Sequence, residues 1–76
     1  MNEQTVVIWE LFNRKITKKE IPEAWVRRDK NGELRRNGQG LVVVEPTTSD
    51  VEVLMWYYSG VEVFANFEEA EAARFE

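Results

Sequence analysis

Apolar positions in this chain fall into alternating stretches and short unbroken runs, and both patterns favour strands over helices for most of its length. Thr5 to Phe12 (TVVIWELF) is rich in β-branched and aromatic residues, with Val6, Ile8 and Phe12 alternating with Val7, Trp9 and Leu11. Apolar residues on both sides are what a central strand requires. Leu41 to Glu45 (LVVVE) is a second, shorter candidate, and Pro46-Thr47-Thr48-Ser49-Asp50 then supplies turn formers in succession. From Val51 to Ala65 the pattern predicts a hairpin turning at Ser59-Gly60, pairing Tyr58 with Val61, Trp56 with Val63 and Leu54 with Ala65. Its other face would carry Val51, Val53, Met55, Tyr57 and Phe64, with Glu62 the only charge; one face covers the core and the other must be covered by the terminal helix or by another molecule.

One segment reads as a helix. Asn66 is placed to cap the amide of Glu69, whose side chain can reach back in the manner of a capping box. Glu68 and Glu69 suit the positive end of the helix dipole, and Phe67, Ala70 and Ala73 are the residues expected to dock this short helix on the sheet.

Residues 13–40 admit two readings, and whether 22–30 is strand or helix stays open. In one, DKNGEL is a hairpin tip with Asn31-Gly32 as a two-residue turn. In the other, Pro22 opens a helix in which Glu23 pairs with Arg27 and which ends at Asn31 or Gly32. Trp25 and Val26 are poor helix formers and Asn-Gly is the stronger local signal, so the hairpin is favoured. No internal repeat or low-complexity tract is apparent. The expected fold is α+β, a small antiparallel sheet of four to five strands with the C-terminal helix packed on one face.

Charge changes this picture from a fold into a question about partners. Nine of the ten basic residues lie between Arg14 and Arg36, opposed there only by Glu20, Glu23, Asp29 and Glu33. Residues 37–76 hold eight acids against Arg74 alone, within a formal total of −4. One domain, 1–76, thus divides into a basic segment, 13–40, and an acidic one, 41–76, read as hairpin plus helix. A two-residue Asn31-Gly32 loop would set Arg28 opposite Arg35 and Arg27 opposite Arg36, an unfavourable arrangement that an anion would relieve. The candidate anions are nucleic-acid phosphates, an acidic partner protein, or the chain's own Glu68, Glu69 and Glu71.

Size and composition narrow the classes further. A chain of 76 residues buries only roughly 60% of its unfolded surface, so the domain is marginal without dense packing or self-association. It has no Cys and no His, which removes disulfides, thiolate chemistry and the usual zinc ligands. Ser49 and Ser59 sit in predicted turns without a base nearby, and Gly38-Gln39-Gly40 is a lone GxG that reads as a loop. No catalytic residue, metal site or cofactor is therefore expected. The longest apolar run, Leu54 to Tyr58, is too short for a bilayer, and the Met1–Gln4 start lacks the features of a signal peptide. Cytoplasm is the expected compartment and no membrane partner is expected.

These features predict a small non-enzymatic protein-binding module. By analogy alone, it suits a stand-alone accessory or inhibitory protein of the kind that phage and mobile elements carry. The candidate partner-binding residues are Trp25, Arg27, Arg28, Lys30, Arg35, Arg36, Tyr57 and Phe64. The first alternative is nucleic-acid binding through the Arg-rich hairpin, with Trp25 as a stacking residue. The second is a homodimer in which basic and acidic faces meet.

Overall fold

The computed structural model describes residues 4–76, and Met1 to Glu3 lie outside them. Two long strands come first: β1, Thr5–Phe12, and β2, Lys15–Pro22. They pair antiparallel along their whole length, from Thr5 opposite Pro22 to Phe12 opposite Lys15. The two residues between them, Asn13 and Arg14, both have positive φ (51° and 61°), as a type I′ turn demands. β3, Glu62–Phe64, pairs antiparallel on the other side of β1, setting Trp9 opposite Phe64 and Glu10 opposite Val63. The order is β2-β1-β3, so β1 is central, as its two apolar sides predict. Among the described residues the sheet has three strands rather than the expected four to five.

β2 was missing from the sequence reading because KITKKEIP buries only Ile21 fully. It is an edge strand, where lysines suit both water and protection against edge-to-edge pairing.

Residues 51–65 do not form the expected hairpin. Val51–Tyr58 is a helix, α1, followed by β3 and then by α2, Phe67–Arg74. The sequence VEVLMWYY is apolar at nearly every position, so it fits a strand period and a helix period equally well. The caps decide. Asp50 Oδ1 accepts from the Glu52 amide (3.0 Å), and Thr48 Oγ1 accepts from the Asp50 amide (3.1 Å). At the other end the Ser59 hydroxyl donates to the Trp56 carbonyl (2.8 Å), and Gly60 takes φ 105° to turn the chain into β3. A glycine just past a helix serves as well as a glycine in a hairpin turn, which is why the Ser59-Gly60 signal was ambiguous.

Residues 26–45 run as an irregular meander with single bridges, Arg28 to Leu34, Arg36 to Val42 and Val26 to Val44. Trp25 ends a short 3-10 turn, Glu23–Trp25, so 22–30 is neither a regular strand nor a helix through its length. The Leu41–Glu45 segment is extended and, among the described residues, is tied to the sheet where the Val42 amide donates to the Val63 carbonyl (2.8 Å).

The sheet is covered on both faces. Ile8 and Ile21 join Val63, Val26 and Val42 in one core, completed by half-buried Trp25, Val44 and Tyr57 from the meander and α1. Leu11 and Phe64 face the other way and pack on Ala70 of α2. As expected, Asn66 Oδ1 accepts from the Glu69 amide and Asn66 Nδ2 donates to the Glu69 carboxylate, both at 2.9 Å. Ala70 and Ala73 dock the helix, while Phe67 stays partly exposed and stacks edge-on against Trp9 (5.3 Å).

Candidate functional site

Two regions gather the residues that chemistry would use. The first is the basic meander. Its loop at 29–33 contains three residues, not two: the Asp29 amide donates to the Glu33 carbonyl (2.9 Å), enclosing Lys30, Asn31 and Gly32, with Gly32 at φ 80°. Asp29 Oδ1 accepts from the amides of Asn31 (2.8 Å) and Glu33 (3.1 Å), so the aspartate builds the turn that Asn31-Gly32 was expected to build. The register therefore slips by one residue from the expected one. Arg28 faces Leu34, and the Arg35 amide donates to the Arg27 carbonyl (2.8 Å), leaving one Arg–Arg pair instead of two.

The same loop then occurs again eight residues later. The Asn37 amide donates to the Leu41 carbonyl (2.8 Å), Gly40 takes φ 80°, and Asn37 Oδ1 accepts from the amides of Gln39 (2.8 Å) and Leu41 (3.1 Å). RDKNGEL (28–34) and RNGQGLV (36–42) are thus a short repeat of arginine, Asx, two loop residues, glycine, a variable position and an aliphatic. The sequence reading found no repeat because the shared positions are few and one copy is acidic where the other is neutral. Aligning the two Arg-Asx pairs would have found it.

The repeated arginine has a repeated task. Arg28 Nη1 donates to the Gly32 carbonyl (2.8 Å), while its Nε (2.5 Å) and Nη2 (3.2 Å) clasp Glu23 of the 3-10 turn. Arg36 Nη1 donates to the Gly40 carbonyl (3.1 Å), and its two Nη groups clasp Glu69 of α2. Hydrogen bonding from Arg28 holds the Glu23 carboxyl below its ordinary range, and Arg36, with help from Asn66, does the same for Glu69 against a smaller opposing effect of burial. Arg27 pairs with Glu45 (2.9 Å). Three of the four arginines singled out from the sequence are therefore neutralised by the chain itself, while Lys30 and Arg35 have no ion-pair partner among the described residues.

The second region is α1 and what holds it. Glu10, in the middle of the central strand, is 2% exposed and the buried charged residue of the described core. Its carboxylate accepts from Trp56 Nε1 (3.1 Å) and from the Tyr57 hydroxyl (2.5 Å), with Lys19 Nζ at 3.9 Å. Lys19 also lies over the rings of Trp56 (5.8 Å) and Tyr57 (5.5 Å). Burial, then the hydrogen bond to Glu10, pushes the Tyr57 phenol upward. Trp25 stacks edge-on against Tyr57 (6.1 Å), and Phe12 lies against Trp56 (5.1 Å). The sequence reading named Tyr57 and Trp25 but missed Glu10, whose signal was a lone acid inside an otherwise apolar strand.

That clasp fixes one side of α1 and leaves the other bare. No residue of α1 is buried. Val51 (63% exposed), Met55 (65%) and Tyr58 (69%) recur at i, i+4 and i+7 and form one outward stripe. Tyr57 and Phe64, expected on one hairpin face, lie on opposite sides of the sheet, with Phe64 buried under α2. Among the described residues no group of three His, Cys, Asp or Glu side chains could hold a metal ion, and no helix is long and apolar enough to cross a membrane. The chain matches no protein-family model, no curated protein and no solved structure.

Proposed function

We propose that this chain is a non-enzymatic protein-binding module of the cytoplasm, acting as an accessory or inhibitory protein, and that the outward stripe of α1 is a protein-contact surface. The observation that carries this reading is a helix apolar at seven of eight positions with none of them buried. Burial of a large apolar side chain contributes about 1.5–3 kcal/mol, and a marginal 76-residue domain leaves that contribution unused at Val51, Met55 and Tyr58. Isolated exposed apolar residues need no explanation, but a contiguous stripe on one helix marks a contact surface.

The nucleic-acid alternative rests on Lys30 and Arg35, which lack ion-pair partners among the described residues, and is weakened by the carboxylates already holding Arg27, Arg28 and Arg36. The test of the main reading is Met55→Glu. At a free contact surface it changes folding stability by no more than about 0.5 kcal/mol and reduces binding of an apolar-surface dye to the native protein. A loss of several kcal/mol in a urea melt would make Met55 part of the core and remove the proposed surface.

A further inference from the structure

The direction of α1 and the charges at its two ends select an occupant for the bare stripe. We infer that this occupant is a second copy of the same chain, docked about a two-fold axis with the two α1 helices antiparallel. The inference rests on the reading of the stripe as a contact surface, and adds to it the identity and orientation of the partner.

An isologous contact requires a self-complementary patch, in which residue i of one copy meets residue j of the other and the reverse. The stripe meets that requirement. With the axis passing beside Met55, Met55 packs on its counterpart and Val51 of each copy meets Tyr58 of the other. A helix of eight residues is about 12 Å long, so both Val51–Tyr58 contacts form at once. Together with Phe12, which is 40% exposed beside Trp56, the stripe offers on the order of 500 Å² of apolar surface per copy. With its charged margins it approaches the roughly 800 Å² per partner of a standard interface.

The margins supply the orientation. The start of α1 carries Asp50 and Glu52. Its end lies beside the β1–β2 turn: Phe12 touches Trp56, and Lys15 is registered with Phe12 across the two strands. None of Asp50, Glu52, Arg14 and Lys15 forms an ion pair among the described residues. Antiparallel docking brings the acidic start of each α1 to the basic turn of the other copy, at both ends of the interface. Parallel docking would set like charges together. The antiparallel arrangement also opposes the helix dipoles favourably.

The experiment is sedimentation velocity from about 10 µM to about 1 mM protein, on the wild type and four variants. The wild type is expected to dimerise with a micromolar dissociation constant, and Met55→Glu to remain a folded monomer. Each ion pair occurs twice, so Glu52→Lys or Lys15→Glu alone should weaken the dimer on the order of tenfold. The double variant Glu52→Lys/Lys15→Glu, which swaps the charges, should recover to within about threefold of the wild type. A wild type that stays monomeric at ~1 mM while Met55→Glu remains stable overturns the second copy as occupant and leaves the surface for a different protein. A wild-type dimer unaffected by Met55→Glu overturns the interface. A dimer lost in Met55→Glu, whose charge-swapped double variant is no tighter than the single charge variants, overturns the orientation. Unfolding of Met55→Glu removes the surface itself.

Discussion

The two helices cover opposite faces of one sheet, and their compositions run against their burial. α2 (FEEAEAAR) is half charged, yet it brings Ala70 to zero exposure against Leu11 and Phe64. α1 (VEVLMWYY) is almost wholly apolar, yet it buries no residue. Small side chains let the backbone of α2 approach the sheet closely, and its acids stay at the margin, one of them latched by Arg36. Large side chains hold α1 away from the sheet, and a polar clasp on Glu10 fixes it by two of its rings. Apolar content thus fails to report which helix belongs to the core. What distinguishes them is whether the apolar side chains have somewhere to go within the molecule, and for Val51, Met55 and Tyr58 they do not.

The largest expected effect tests the tight side of this comparison. Ala70→Glu drives a carboxylate into the contact with Leu11 and Phe64, where nothing of opposite charge waits, and should cost on the order of 4 kcal/mol or more. That is most of the stability expected of so small a domain, so a urea melt should find the variant largely unfolded at room temperature. Survival with a loss below about 1 kcal/mol would mean that α2 docks no more firmly than α1.

The second effect tests the loose side. Glu10→Ala leaves the Trp56 indole and the Tyr57 hydroxyl without their acceptor and should cost about 2–3 kcal/mol. Its signature is local. Amide hydrogen exchange should accelerate through 51–58 while 67–74 keeps its protection, and Trp emission should move to the red. Equal loss of protection in both helices would break the claim that the clasp serves α1 alone.

This contrast also explains how far the sequence could be read. β1 was legible because a central strand must be apolar on both sides, and Asn66 announced α2 because a capping residue acts locally. α1 reads as a strand because periodicity cannot decide where almost every position is apolar; the turn formers before it include Asp50, its N-cap, and Thr48, which holds the Asp50 amide. β2 was hidden by its lysines, since an edge strand has little to bury. The arginine cluster was found as residues but not as a geometry. Its register depends on whether Asp29 or Asn31 builds the loop, and its neutralisation depends on Glu23, Glu45 and Glu69, two of them distant in sequence. The chain's own Glu69 was among the anions expected for this cluster, and it is the one that Arg36 holds.

The smallest effect concerns the latch between the meander and α2, and it depends on pH. The Glu69 carboxyl is held below its ordinary value near 4.5 by hydrogen bonds from Arg36. A carboxyl whose folded pKa is depressed binds its proton more readily in the unfolded chain. Its stabilising contribution is therefore complete above the unfolded value and disappears as pH falls through the folded one. Both partners are more than a third exposed, so solvent screening keeps the pair to about 1 kcal/mol or less. Arg36→Ala should lower stability by that amount at pH 7 and flatten the decline that urea melts record as pH falls below the ordinary carboxyl value. Met55→Glu leaves this latch intact, so its acid limb should retain the wild-type contribution of the Arg36–Glu69 pair. If Arg36→Ala left both the neutral-pH stability and the acid limb unchanged, the latch would be only a surface contact. The firmness of α2 would then rest on Ala70 and its neighbours, and the difference between the helices would be one of packing alone.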